Sequence, residues 1–394
     1  MNVKQIFEYF QNRQEILLNS IREIVEIESP SFDEEGSSLV VEWTARQARR
    51  ISPEVIAEKI EAKNYGAHLL IRAFSDDERS ERSEKSEKSE KSKKPILLLG
   101  HTDTVHPSGT KTKNPTRIEG EKFYGCGIFD MKANIILMLE VLRFFAESDL
   151  KPARPVTIFL SCDEEIGSPT GRAIVEAEAV KSEFCLVCEP SANGKVKTGR
   201  KGTGMFTLQT HGIPAHAGLE PEKGASAILE LSKLIPQIHA LNNPEKATTA
   251  NVCQITGGTA SNVIPEYAEC SIDLRFSSME EAARIQKTIK KLQSSDARVS
   301  IKISGAINRP PLERTEKVVN LYEKARKLAA TFDYELGETQ VGGASDGNFV
   351  GALGVPVLDG LGVAGNGAHT LSEYILIDDL AKRATLLALL LLSE

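Results

Sequence analysis

Four short apolar runs in this chain each lead to a histidine or a carboxylate, and that recurrence constrains the fold more than any other feature. The first, I-L-L-L-G-H-T-D-T-V at 96–105, delivers His101 and Asp103 to its far end. A second, at 155–160, runs into Cys162-Asp163-Glu164-Glu165. A third, F-C-L-V-C at 184–188, runs into Glu189, and a fourth, at 355–358, precedes a glycine-rich loop that ends at His369. Apolar runs of this length read as buried strands, and with helical patterns between them they make the alternation of an α/β sheet. Ligands of open α/β sheets bind beyond the carboxyl ends of the strands. Asp130, at the start of a helix, can reach the same edge. Taken singly, each of these acids is an ordinary solvated residue; chance does not place five such groups beyond apolar runs.

The intervening segments fill in the layers. Ile6, Phe10, Leu17, Ile21 and Ile24 recur at helical spacing over 3–27, ending before Ser29-Pro30, and a second amphipathic helix is expected over 33–50 around Val40 and Trp43. His68–Ile71 reads as extended. A helix from Met131 to Glu147 carries Ile135, Leu139 and Leu142 on its apolar face. The tract at 75–94, S-D-D-E-R-S-E-R-S-E-K-S-E-K-S-E-K-S-K-K, has no apolar residue to bury and is expected to be a solvated, mobile loop or a frayed helix without a catalytic role. Residues 199–309 read differently. Strands at 205–210, 250–255 and 269–276 with helices at 225–241 and 279–293 predict a small α+β domain with one exposed sheet face. It is an insertion, because the first sheet resumes before His369, so the chain divides into 1–198, 199–309 and 310–394.

Composition narrows the partners. With 394 residues, a net charge of -7 and no basic stripe, nucleic acid is not an expected partner. The N-terminal segment M-N-V-K-Q-I-F-E-Y-F carries Glu8 where a signal peptide would be uniformly apolar. No apolar run is long enough to span a bilayer, and Leu387–Leu392 reads as the end of a core helix. No membrane association is expected, and the expected compartment is the cytoplasm. Six cysteines without framework spacing suit reduced thiols. Cys185-x-x-Cys188 lies inside an apolar run with no second such pair, so both thiols are expected to be small buried hydrophobes.

Chemistry follows from the donor set. His101, Asp130, Glu165, Glu189 and His369 supply two imidazoles and three carboxylates, enough to hold two zinc ions if one carboxylate bridges. Paired metals about 3.5–4 Å apart acidify a water, polarise a carbonyl and stabilise an oxyanion. Glu164 adjoins Glu165 but points elsewhere, which leaves it available as a general base. Asp103 shares a face with His101 in an extended chain, where it can take the second ring N–H and fix the tautomer.

The sequence resembles the co-catalytic zinc peptidases and deacylases: aminoacylases, acetylornithine deacetylases, succinyl-diaminopimelate desuccinylases and glutamate carboxypeptidases. The matching motifs are G-H-T-D-T-V (100–105), Y-G-C-G-I-F-D-M-K-A (124–133), S-C-D-E-E-I-G-S (161–168), C-E-P (188–190) and G-N-G-A-H (365–369), in the family's order. The resemblance implies a mixed, largely parallel sheet flanked by helices, with an inserted α+β lid and dimerisation domain. It makes Asp130 the bridging ligand, His101 and Glu189 the other ligands of one zinc, Glu165 and His369 those of the second, Glu164 the base and Asp103 the partner of His101. Two Zn2+ per subunit are implied, with Co2+ or Mn2+ as substitutes.

The same resemblance assigns roles in the inserted segment. His216 in G-I-P-A-H-A-G (212–218) matches the histidine that reaches across a homodimer to bind the oxyanion or substrate carboxylate. Asn262 in S-N-V-I-P, Arg275 in D-L-R and Arg309 in N-R-P-P match substrate-binding positions, and an arginine fork suits a carboxylate. Asp346, in the glycine-rich turn Gly342–Gly347, either lies near the specificity site or caps a helix. A Glu at position 189 goes with carboxypeptidases and deacylases rather than aminopeptidases. The expected activity is therefore hydrolysis of the amide of an N-acyl or N-peptidyl amino acid with a free carboxylate, most like a glutamate carboxypeptidase. An N-acyl amino acid deacylase is the alternative, and a non-catalytic metal- or peptide-binding member is the alternative of another class.

Overall fold

The apolar runs are strands of one sheet. In the computed structural model, which describes residues 1–75 and 93–393, six strands lie in the order Val55–Ala62, Gly66–Ala73, Val156–Ser161, Ile96–His101, Phe184–Val187 and Val357–Leu358. The first two form an antiparallel hairpin, and Gly66–Ala73 runs antiparallel to Val156–Ser161. The remaining strands run parallel to one another. The sheet is thus mixed and largely parallel. Every residue of Ile96–His101, Val156–Ser161 and Phe184–Val187 is buried, as strands covered on both faces must be.

Helix Glu34–Arg49 packs on the hairpin, Ala133–Glu147 on Ile96–His101, and Glu316–Ala330 on Val357–Leu358. Helix Leu380–Leu392, which ends in the leucine run, is buried among Val3–Asn12 and Ala133–Glu147. The expected N-terminal helix is two helices, Val3–Asn12 and Gln14–Val25, interrupted at Arg13, whose guanidinium turns inward to the buried Glu140. The Val55–Ala62 strand is missing from the sequence-based expectation because, as an outermost strand, it buries only some of its residues. The charged tract expected to be mobile at 75–94 falls almost wholly outside the described residues.

Because the central strands are parallel, their carboxyl ends share one edge: His101, Ser161, Val187 and Leu358. A small antiparallel sheet, Arg117–Glu119, Lys122–Tyr124, Tyr374–Leu376 and Gly365–Asn366, belongs to the same unit. It carries both the segment that leads to Asp130 and the loop that holds His369.

The chain divides into two units, one of Met1–Gly199, Arg314–Val341 and Ser345–Glu394, the other of Arg200–Glu313 with Gly342–Ala344. The second is an antiparallel sheet in the order Thr249–Gly257, Tyr267–Phe276, Gly202–His211, Ser300–Arg309. Helices Ala227–His239 and Met279–Ile289 cover one face, burying Phe206, Leu231, Leu234, Ile272 and Ile285. Ser300–Arg309 was not expected as a strand. Only Arg309 in it is buried and Gly305 sits at a φ of 109°, so the local pattern is weak; pairing with Gly202–His211 makes it a strand.

Among the described residues, no helix is long and apolar enough to cross a membrane. Cys185 in the sheet and Cys188 just beyond its strand are both buried, and burial drives both thiols well above their ordinary range. They are therefore poor metal donors, since a metal takes the thiolate.

Candidate metal centre

Five side chains meet at the carboxyl edge of the sheet, and the carboxylate of Asp130 is at their centre. His101 Nε2 lies 3.0 Å from Asp130 Oδ1 and 3.4 Å from Glu189 Oε1. His369 Nε2 lies 3.4 Å from Asp130 Oδ2 and 3.2 Å from Glu165 Oε2. Each oxygen of Asp130 thus faces a different imidazole, and each imidazole faces a second carboxylate.

These separations test whether metal ions fit. Donors held about 2.0–2.1 Å from a tetrahedral ion lie roughly 3.3 Å from one another, and the four contacts span 3.0 to 3.4 Å. Glu165 Oε1 is buried without a hydrogen-bond partner, an arrangement that is unfavourable unless something else satisfies the oxygen. The residues fit a pair of divalent cations, with Asp130 shared.

Local structure explains how each group arrives. His101 is the last residue of its strand, and its Nδ1 donates to the Asp103 main-chain carbonyl at 2.9 Å, which directs Nε2 to the site. The Asp103 carboxylate has a wider task than orienting that ring, from which it stands 3.4 Å away. It accepts from the main-chain N–H of Glu164 and of Glu165, each at 3.1 Å, and from Ser31 Oγ at 2.7 Å. One buried carboxylate therefore ties the ends of two neighbouring strands. The short turn Glu164–Ile166 then sends its two acids to different places: Glu165 towards His369, and Glu164 to where a carboxylate oxygen lies within 4.8 Å of ligand atoms of His101 and Glu189.

Electrostatics reflect the crowding. Burial disfavours the His101 imidazolium, but hydrogen bonds to Asp103 and Asp130 outweigh it and hold the group well above the ordinary histidine range. His369, half exposed, is raised to about 10 by hydrogen bonds to Asp130 and Glu165. Burial opposes ionisation of Asp130, yet the two imidazoles keep it below the usual carboxylate range. Burial raises Glu165.

His369, raised to about 10, must give up a proton to bind a metal as a neutral donor, and the upward shift of His101 acts in the same direction, so metal uptake is expected to release protons. Affinity falls as pH falls, by roughly tenfold per pH unit for each proton displaced. Calorimetric titration in buffers of different ionisation enthalpy measures the release, and uptake without it would contradict this charge state.

The other sequence candidates lie in the second unit. His216 is exposed, and its Nδ1 accepts from the N–H of Gly218 and Leu219, each at 3.1 Å, which leaves the proton of the neutral ring on Nε2. Asn262 is exposed on the neighbouring turn, where its main-chain oxygen receives the N–H of Ala217. Arg275 differs from a waiting carboxylate receptor: Asp273, two residues away, takes its fork through Nε at 2.9 Å and Nη2 at 2.8 Å. Arg309 is buried, at 7% exposure. Asp346 caps nothing through its side chain; it accepts from Ser161 Oγ at 3.0 Å and from Ser168 Oγ, anchoring the turn that carries Glu164 and Glu165.

Two further residues were not singled out in the sequence. Glu373, fully buried, accepts from His106 Nε2 and from the main chain around Asp130. The available signal was a carboxylate four residues beyond His369 in a turn-rich stretch, and a second histidine five residues beyond His101.

The carboxyl edge of this open, largely parallel sheet gathers two imidazoles and two carboxylates around one shared acid, a donor set that fits a metal-dependent hydrolase. The chain belongs to peptidase family M20/M25/M40, whose model matches residues 97–393, and is accordingly a metallopeptidase or amidohydrolase. It is 26% identical over 397 residues to carboxypeptidase G2 from Pseudomonas sp. (strain RS-16), covering 98% of this chain and 91% of that protein. It is 30% identical over 320 residues to a succinyl-diaminopimelate desuccinylase from Psychrobacter sp. (strain PRwf-1), covering 73% and 76% of the two chains. Among solved structures, aminopeptidase PepT from Bacillus cereus ATCC 10987 superimposes with a TM-score of 0.75 at 21% identity, covering 96% of this chain and 98% of that one.

Proposed function

We propose that this protein is a dinuclear zinc hydrolase that cleaves the amide of an N-acyl or N-peptidyl amino acid with a free carboxylate, as a carboxypeptidase of the glutamate-releasing kind. The observation that carries the reading is Asp130, with one oxygen towards His101 and Glu189 and the other towards His369 and Glu165. These five residues would hold the two ions, with Co2+ or Mn2+ as substitutes. A bound pair would acidify water and polarise the scissile carbonyl. Glu164 takes the proton from the attacking water and delivers it to the departing amine. His101 and Asp103 fix the geometry in which this happens. His216, Asn262 and Arg309 are the groups proposed to receive the oxyanion and the substrate carboxylate. Arg275 would have to leave Asp273 to join them.

The full-length match to carboxypeptidase G2 supports a carboxypeptidase. A deacylase is the second reading, supported by the desuccinylase relative. A cavity of about 540 Å3 beside Glu165 favours the first. Its walls include Phe32, Val105, Pro107 and Ile166, and its only charged residues are the acids Asp33 and Glu165. With Glu165 committed to a metal ion, Asp33 is the charge left on this otherwise apolar wall, which suits an uncharged acyl portion better than a succinyl carboxylate. A non-catalytic binding protein would have no use for Glu164. The second unit is proposed to pair with another copy of the chain, since Leu229 on its helix and Ile255 on its outer strand are both more than half exposed.

A panel of glutamates bearing benzoyl, acetyl, succinyl or aminoacyl groups tests the reading. Cleavage is expected to require the free carboxylate and to be slowest for the succinyl compound. Preference for peptides blocked at the carboxyl end would sink it.

A further inference from the structure

We infer that Glu373 is a positioning residue that sets the bridging geometry of Asp130, with His106 as its partner. The inference rests on the metal-site reading above.

Glu373 has no exposed surface, and four hydrogen-bond donors fill its two oxygens. Oε1 accepts from the main-chain N–H of Phe129 at 2.8 Å and of Asp130 at 2.9 Å. Oε2 accepts from the N–H of Gly127 at 3.0 Å and from His106 Nε2 at 2.7 Å. An ionised carboxylate offers about four lone-pair sites, and four donors occupy them. Three are successive or nearly successive backbone amides, a concave arrangement that binds anions. Gly127, at a φ of 67°, allows the chain to curl in this way. The Glu373 main-chain oxygen also receives the N–H of Gly125 at 3.3 Å.

The chain positions involved show what this achieves. Glu373 lies in the hairpin loop that presents His369, between Gly365–Asn366 and Tyr374–Leu376. His106 follows the strand end that presents His101. The backbone of Asp130 is thus fastened to the two segments whose imidazoles its own oxygens face. Asp130 and Met131 have non-helical dihedrals, and although the Lys132 N–H reaches the Gly127 carbonyl at 2.9 Å across this corner, the N–H groups of Phe129 and Asp130 are held from outside it. Glu373 supplies that hold, and the separations on both sides of Asp130 depend on it.

Glu373→Gln tests this with little change in volume. The new amide group would oppose two N–H donors, so the corner is released while the packing is kept. Three readouts apply: affinity for Co2+, the visible absorption of the Co2+ protein, and thermal unfolding of the metal-free protein. We expect affinity to fall by about 10–100-fold, the usual effect of losing a group that orients metal ligands, with an altered spectrum. Phe10→Leu, a core change remote from the site, should lower the unfolding temperature and leave affinity and spectrum unchanged. His106→Gln retains a donor and should bind Co2+ nearly as the parent does, whereas His106→Leu should weaken binding several-fold. If Glu373→Gln does not fold, the two His106 variants decide.

Parent-like affinity in folded Glu373→Gln, an equal loss in Phe10→Leu, or equal behaviour of the two His106 variants would each overturn the inference. A parent protein that binds no Co2+ would instead overturn the metal-site reading, and this inference with it.

Discussion

Replacing Glu164 by glutamine is expected to leave the proposed pair of metal ions bound and to lower kcat by about 10²–10⁴-fold, the range of a positioned general base. Glu164 is nearly buried at the site edge, near His101 and Glu189, and its main chain is fixed by Asp103. Glutamine keeps the shape and loses the ability to accept a proton. KM should change little, because the base acts after substrate is bound. Steady-state kinetics with parallel metal analysis makes the comparison; near-normal turnover would remove Glu164 from the reaction, and metal loss would make it a ligand.

Asp130→Asn is expected to have an effect of similar size by a different route. The amide retains one coordinating oxygen, and its nitrogen is not a donor to a metal cation. A protein that depends on both oxygens, facing His101 and His369 separately, should drop from two bound ions to one. Activity should fall by at least about 10²-fold, the scale seen when one stabilising group is removed from an oxyanion. Metal stoichiometry of the variant gives the answer, and two tightly bound ions with normal turnover would exclude a bridging role.

Much of this arrangement was legible in the sequence because parallel strands buried on both faces must be continuous apolar runs, and Ile96–His101, Val156–Ser161 and Phe184–Val187 are. Once the strands run parallel, their last residues share an edge without further information. The geometry at Asp130 was not legible in the same way. It depends on non-helical dihedrals at the head of a helix and on Glu373, 243 positions away in the chain. His106 and Glu373 are 267 positions apart, and no local pattern links them.

Asp103 shows the limit of spacing arguments. An i,i+2 relation places it beside His101, but the structure gives the ring the main-chain carbonyl and uses the carboxylate to hold Glu164 and Glu165. Strand Ser300–Arg309 and the anchoring role of Asp346 are likewise products of tertiary pairing. The roles of His216, Asn262 and Arg309 rest on resemblance, and the ion pair between Arg275 and Asp273 shows that a matched arginine can already have a partner.

Metal content of the unmodified protein, purified without chelator and measured by plasma emission against protein concentration, tests the central claim most directly. The shared Asp130 predicts two divalent ions per chain, both removed by a chelator together with activity and both restored on readdition. A single ion, or none, in a fully active protein would contradict it.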